Sequence, residues 1–270
     1  MLRARIITAV CALAAIFLVL FVLPPVVVTP VILLVITGAA WEWSRLAGLE
    51  TVLPRATYIL GIAALTAAAS ITWSDVTFGP LLAAAGLWWL VAFVLVVRYP
   101  VKVPRALVLL GGPLTLVPAG FALIALTRNE MLSTLSGAGL LLFVLVTIWG
   151  ADVGAYFAGR ALGKRKLAPH VSPNKTWEGV FGGLLLVAVI GFVGAWITGL
   201  AWFRLVPLCM AVAALSIVGD LTVSLFKREA GIKDSGTLFP GHGGILDRID
   251  SIAAGTPLFV AGIYLGHGPW

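Results

Sequence analysis

Apolar stretches of roughly 20 residues, the length that spans a bilayer's hydrocarbon core as a helix, recur along almost the whole 270-residue chain. That recurrence limits the fold more than any other feature of the sequence. Nine such stretches can be marked, at 6–23, 26–44, 56–74, 80–97, 106–126, 134–158, 178–199, 205–226 and 251–268. They are continuously apolar and lack the two-residue alternation of a barrel strand. In lipid only a helix satisfies its own backbone polar groups within one segment. The expected fold class is therefore all-α, a polytopic integral membrane helical bundle of about nine transmembrane helices.

Composition agrees. Hydrophobic residues make up 61% of the chain and charged residues 11%, with a mean hydropathy of +1.09. Soluble domains carry about 25% charged residues, so an ordinary cytosolic enzyme is excluded, as is disorder. Pro24-Pro25 divides the first two stretches, and Gly79-Pro80, Tyr99-Pro100 and Val103-Pro104 are read as further joints. Arg3 and Arg5 precede the first stretch, but no small-residue cleavage site follows it, so a retained first helix is expected. Cys11 and Cys209 lie inside apolar runs and are read as packing residues. No linker is long enough for a second domain, so residues 1–270 are read as one membrane domain. Residues 1–150 are expected to be a lipid-facing scaffold and 150–250 the catalytic region.

The net charge of +7 and pI near 9.9 would suit a polyanion partner. Yet the basic residues fall in short clusters between apolar runs, so nucleic acid is not expected. If the N-terminus is cytoplasmic and nine spans alternate, sixteen Lys and Arg residues fall on the cytoplasmic side and only Arg128 and Arg204 on the other. This bias supports a multi-pass protein of a bacterial-type cytoplasmic (inner) membrane, with its N-terminus and active site facing the cytoplasm.

Polar chemistry concentrates late in the chain. Glu42, between Trp41 and Trp43, is the early exception, and it is expected to pair locally with Arg45 three positions on. Asp152 and Asp220 lie inside apolar spans, where a carboxylate costs at least ~2.5 kcal/mol and marks a functional site by default. Asp152 lies eight residues before Arg160 and Asp220 seven before Lys227, so both sit roughly 10–12 Å below the cytoplasmic surface. Matching depth suggests one shared cation site. Asp152, Tyr156 and Arg160 share a helical stripe, as do Asp220 and Ser224, with Lys227 and Arg228 following. In the loop from Arg160 to Gly179, Ser172 is read as an N-cap with Pro173 at the first helical position, and Lys175 reinforces that anion-attracting end.

The segment from Ser224 to Asp250 is more specific. It supplies Lys227, Arg228 and Lys233 for phosphates, and Asp234, Asp247 and Asp250 as candidate metal ligands. Glycines 236, 241, 243 and 244 allow close backbone approach. Oxygen ligands without Cys or paired His favour magnesium over zinc. His242, among the glycines, suits a phosphate contact or the turn better than a metal. His170 and His267 have no supporting context.

These residues resemble the signature of the phosphatidate cytidylyltransferases (CDP-diacylglycerol synthases). Ser224, Phe226, Lys227, Arg228, Lys233, Asp234, Gly236, Phe239, Pro240, His242, Gly243, Gly244, Ile245, Asp247, Arg248, Ile249 and Asp250 fill that 27-residue pattern without a mismatch. The stretches from Asp152 to Arg160 and from Ser172 to Gly179 are similar to the family too, whereas residues 1–150 match by hydropathy alone. The resemblance implies magnesium-dependent transfer of a cytidylyl group from CTP to phosphatidate, giving CDP-diacylglycerol and pyrophosphate. It implies Asp220 and Asp247 as metal ligands, with Asp152, Asp234 and Asp250 as candidates for a second cation or for supporting the first. Lys175, Lys227, Arg228, Lys233 and Arg248 would hold phosphates. Ser172, Thr176, Glu178, Ser224, His242, Gly243 and Gly244 would line the nucleotide site. The lipid would enter sideways from the leaflet and CTP from the cytoplasm, while small-residue helix faces would suit a homodimer.

Three rivals differ in chemistry. A secondary transporter accounts for Asp152 and Asp220 but not for the crowded basic, glycine-rich loop. A CTP-using lipid kinase would move the γ-phosphoryl group and release CDP. The CDP-alcohol phosphotransferases carry an Asp-Gly-x-x-Ala-Arg motif that this sequence lacks.

Overall fold

Each of the nine apolar stretches carries an α-helix in the computed structural model, which describes residues 2–72, 75–128, 135–238 and 243–265. In chain order these are α1 (Leu2–Phe17), α2 (Pro25–Leu46), α3 (Val52–Ile71), α4 (Asp75–Arg98), α5 (Arg105–Arg128), α6 (Gly137–Leu162), α7 (Trp177–Thr198), α8 (Trp202–Glu229) and α9 (Leu246–Leu265). A π-helical turn, Leu18–Val22, prolongs α1. Among the described residues, seven helices, α2 to α8, are long and apolar enough to cross a membrane. The chain is thus a multi-pass membrane protein. Residues 73–74, 134 and 266–268 of the expected spans lie outside the described residues.

Proline chemistry explains some boundaries and not others. Pro24 is extended, with ψ near 140°, and Pro25 opens α2 in the first turn, where its missing N–H has no partner to lose. Gly79-Pro80, read above as a joint, is not one, because α4 begins at Asp75 and runs through Pro80. A proline removes one helical hydrogen bond, whereas leaving the helix inside lipid strands many backbone groups. Pro113 and Pro118 in α5 and Pro207 in α8 are carried through in the same way.

A departure from a purely helical chain lies between α6 and α7. There β1 (Lys166–Ala168) pairs antiparallel with β2 (Ser172–Thr176), joining Lys166 to Thr176 and Ala168 to Ser172. The helix expected to start at Ser172-Pro173 starts instead at Trp177. Its N-cap is Thr176, whose side chain accepts a hydrogen bond from Gly179 N at 3.2 Å. Pro173 fits this edge because a two-stranded hairpin leaves one side of β2 without ladder partners.

The helices differ in how much lipid they face. In α5, 72% of the apolar window is buried inside the protein, against 17% in α3. Leu60 and Leu65 on α3, and Phe181, Leu185 and Trp196 on α7, point outward, as lipid-facing residues must when the solvent is itself apolar. Trp43 of α2 is wholly buried, donates from its indole to Val108 O at 2.8 Å and meets Phe226 of α8 edge-on. This contact ties the first half of the chain to the second.

Two glycine contacts set the spacing around the charged residues. A Cβ on Gly154 of α6 would fall 2.6 Å from the carbonyl oxygen of Gly182 in α7, so these helices meet backbone to backbone. A Cβ on Gly219 of α8 would fall 2.6 Å from the carbonyl oxygen of Asp250 in α9. The small residues of α6 and α7 thus serve packing within one chain.

Candidate active site

The C-terminal ends of α2, α6 and α8, the N-terminal ends of α7 and α9, and the hairpin meet at one end of the bundle. β2 presents Lys175 to α8, where its Nζ lies 2.5 Å from Asp220 Oδ2. Asp220 Oδ1 accepts from Ser224 Oγ, one turn on, at 3.2 Å. Asp152 of α6 and Asp250 of α9 also lie within electrostatic reach of Lys175. Burial alone would lower this ammonium's pKa. The facing carboxylates, Asp220 foremost, more than reverse that and leave it raised, so Lys175 stays charged.

A second ion pair lies beside the first. Lys227 of α8 places Nζ 2.6 Å from Asp247 Oδ1, with both side chains about nine-tenths buried. Asp247 Oδ2 accepts from Ser235 N at 2.9 Å and from Gly244 N at 3.0 Å. Asp247 therefore binds the chain on both sides of the glycine-rich segment to the first turn of α9. Gly243 adopts a left-handed φ of +79°, and a Cβ there would strike the Asp247 carboxylate. Only glycine tolerates both conditions at once.

Glu42 was expected to pair with Arg45, and the fold uses it differently. It is buried on α2, and its carboxylate accepts from Ile245 N, Leu246 N and Ser235 Oγ at 2.9, 2.8 and 2.6 Å. These are the backbone donors at the start of α9 and a hydroxyl some ten residues earlier. Neither Glu42 nor Ser235 was assigned to the site from sequence. A signal did exist, since a carboxylate inside an apolar run must find partners to be stable. Nothing local identifies donors about 200 positions away.

The remaining residues divide between the pairs and their surroundings. Thr176 caps α7, and Glu178 accepts from Lys164 N and Arg165 N at 3.1 and 3.2 Å, closing the base of the hairpin. Arg228 donates to Val171 O and Ile232 O, both at 3.4 Å, linking the end of α8 to the hairpin turn. Ser172 is half-buried on β2, while Lys233, Asp234 and Arg248 are exposed. Arg248 lies within electrostatic reach of Asp152. Asp250 is buried, and its Oδ1 accepts from Ser251 N at 2.7 Å. His242 lies outside the described residues.

The site thus offers oxygen donors and ammonium groups. Among the described residues, no three His, Cys, Asp or Glu side chains are gathered closely enough to form a metal shell by themselves. Magnesium needs less, since it commonly takes one or two carboxylates and completes its octahedron with water and substrate phosphates. The donor set suits such a hard cation, and Lys175 marks where positive charge settles among Asp152, Asp220 and Asp250. The arrangement can gather phosphate anions above carboxylates at one mouth of the bundle.

Comparison with known proteins finds relatives along nearly the whole chain. A family described as the cytidylyltransferase family matches residues 3–265. The phosphatidate cytidylyltransferase of Pseudomonas aeruginosa is 43% identical over 268 residues, covering 97% of this chain and 96% of its own length. That of Haemophilus influenzae is 38% identical over 285 residues, covering 96% of this chain and 97% of its own. That of Brucella suis is 43% identical over 126 residues, or 44% of each chain.

Proposed function

This chain belongs to the cytidylyltransferase family, and from that premise we propose that it converts CTP and phosphatidate to CDP-diacylglycerol and pyrophosphate at the charged end of α6–α9. The reaction joins a phosphate oxygen of phosphatidate to the α-phosphorus of CTP. The bond from that phosphorus to the bridging oxygen breaks, and pyrophosphate leaves with the electron pair. The nucleophile is already an anion near neutral pH, so no strong general base is required. The barrier is the approach of one anion to another, and fixed positive charge lowers it.

Lys175, Lys227 and Arg228, with Lys233 and Arg248 at the rim, are the groups proposed to take the phosphates. Lys175 and Lys227 rest on Asp220 and Asp247. A lysine stem rotates freely enough to turn from a carboxylate to an incoming phosphate. The glycine-rich segment would bring backbone N–H groups close to the nucleotide, and Ser172, Thr176, Ser224 and His242 would shape its pocket. Magnesium, held by Asp220 and Asp247 with Asp152 less central, would neutralise triphosphate charge when bound. Asp234 and Asp250 would serve a second cation or orient these ligands.

The proposed setting is a bacterial cytoplasmic membrane with the N-terminus and the site on the cytoplasmic side. Phosphatidate would then arrive through the leaflet and CTP from the aqueous phase. The observation that best supports the reading is the pair of lysine–aspartate contacts, built from β2, α8 and α9, whose Asp247 also binds the flanks of the glycine-rich segment. The test is product analysis with purified protein, CTP labelled in the cytidine and phosphatidate in detergent. A cytidine-bearing lipid and pyrophosphate in equal amounts are expected. A phosphorylated lipid with free CDP would replace the reading with a lipid kinase, and no turnover of any lipid would remove the enzyme reading.

A further inference from the structure

One buried carboxylate has no part in the chemistry above. Glu42 lies on α2, far from the signature in sequence, and it is 6% exposed. Oε1 accepts from Ile245 N, and Oε2 accepts from Leu246 N and Ser235 Oγ. All three partners are donors, which an ionised carboxylate satisfies without offering a donor in return. Its negative charge also faces the N-terminal end of α9, where the helix dipole favours it.

The same stretch of chain holds Asp247. Ser235 bonds both acids, with its N–H to Asp247 and its hydroxyl to Glu42. Gly244 bonds Asp247 through its N–H, and a Cβ at Gly244 or Gly236 would strike the Glu42 carboxylate. The two signature glycines are therefore moulded on Glu42. Trp43, the next residue, is locked to Val108 and Phe226, so Glu42 stands on a rigid post.

We propose that Glu42 is a positioning residue for cytidylyl transfer: from α2 it clamps both flanks of the glycine-rich segment and so fixes where Asp247, and through it Lys227, face the substrates. The proposal rests on the reading of residues 224–250 as the reaction site. It assigns an active-site duty to the N-terminal half, which otherwise reads as scaffold.

The test uses the full chain in detergent with CTP, magnesium and phosphatidate. Glu42→Gln keeps the shape but turns an amide donor toward Ile245 N or toward Leu246 N and Ser235 Oγ. Losses on the order of 10–100-fold are typical when a group supporting a metal ligand is changed. That range is expected here in kcat, together with a weaker equilibrium affinity for CTP measured without phosphatidate and a higher magnesium requirement. Glu42→Asp, which keeps an acceptor-only group, is expected to recover part of the loss. Ser235→Ala removes one bond of the clamp and is expected to shift the same three quantities in the same direction but less, even if Glu42→Gln fails to fold. Wild-type kcat, CTP affinity and magnesium requirement in folded Glu42→Gln, or in Ser235→Ala should Glu42→Gln not fold, would overturn the proposal, even with a lowered melting temperature. Asp247→Asn separates the two ideas: full turnover in that variant would refute the site reading itself. An inactive Asp247→Asn beside unaffected Glu42→Gln and Ser235→Ala would refute the Glu42 role alone.

Discussion

Lys227 and Asp247 lie 20 positions apart and on different helices, yet their charged atoms meet at 2.6 Å in a pocket that hides about nine-tenths of both side chains. A pair buried this far is held by its geometry and its additional hydrogen bonds more than by Coulomb attraction, because desolvation offsets much of that attraction. Asp247 has those bonds from Ser235 and Gly244. Lys227 has Asp220 as a second carboxylate within electrostatic reach.

Removing only the lysine should therefore be costly. Lys227→Ala leaves Asp247 buried without its cation, and loss of one partner of a buried pair costs about 3–5 kcal/mol. The expected result is a clear drop in melting temperature together with a higher concentration requirement for CTP or phosphatidate. Lys227→Met with Asp247→Asn should restore much of the stability and none of the activity. Unchanged kinetics in Lys227→Ala would show that the ammonium has no substrate contact.

Asp220→Asn should behave differently. Asp220 is paired with Lys175, but about a quarter of each side chain stays accessible, so the fold depends on this pair less. The variant is expected to insert and fold while turnover disappears. Near-normal magnesium-dependent activity would remove Asp220 from the site.

The start of α7 gives a test of local structure. Thr176→Ala removes the cap on Gly179 N, and such losses cost about 1 kcal/mol. Ser172→Ala should leave α7 intact, because Ser172 lies on β2 and is not the cap. Thermal denaturation of the two variants compares them directly, and equal destabilisation would contradict the assignment of the cap.

Gly219→Ala tests the spacing of α8 and α9. The added methyl would sit 2.6 Å from both Asp250 O and Ala254 Cβ, and the backbone atom cannot move aside cheaply. Overpacking of this kind costs about 1–3 kcal/mol. Activity is expected to fall further than stability, because the shift separates Asp220 from Asp250. Wild-type activity at normal stability would show that the helices have slack there.

Much of this protein is legible in its sequence, because the relevant physics is local. A helix either is or is not long and apolar enough to cross lipid, so nine helices could be placed to within a few residues. Pro24-Pro25 and Gly79-Pro80 show the limit of that logic. Both look like breaks, but only the first falls where a helix can start at little expense. The hairpin at Lys166–Thr176 was missed because Ser172-Pro173 is an equally good opening for a helix, and the choice depends on β1 lying opposite. The dense run of charge and glycine from Ser224 to Asp250 likewise pointed to phosphate chemistry on its own.

The sequence by itself determined that the chain lies in a membrane as an all-α bundle and that its acids and bases gather at one end. It could not decide which acid meets which base, because Asp152, Asp220, Asp234, Asp247 and Asp250 and the basic residues from Lys175 to Arg248 allow many pairings of comparable local merit. Tertiary structure decided that. Backbone contacts at Gly154 and Gly219 set how closely the helices approach and how they are turned, and Glu42 reached across some 200 residues to hold the glycine segment. Helix rotation and separation are properties of packed pairs, so no single segment encodes them.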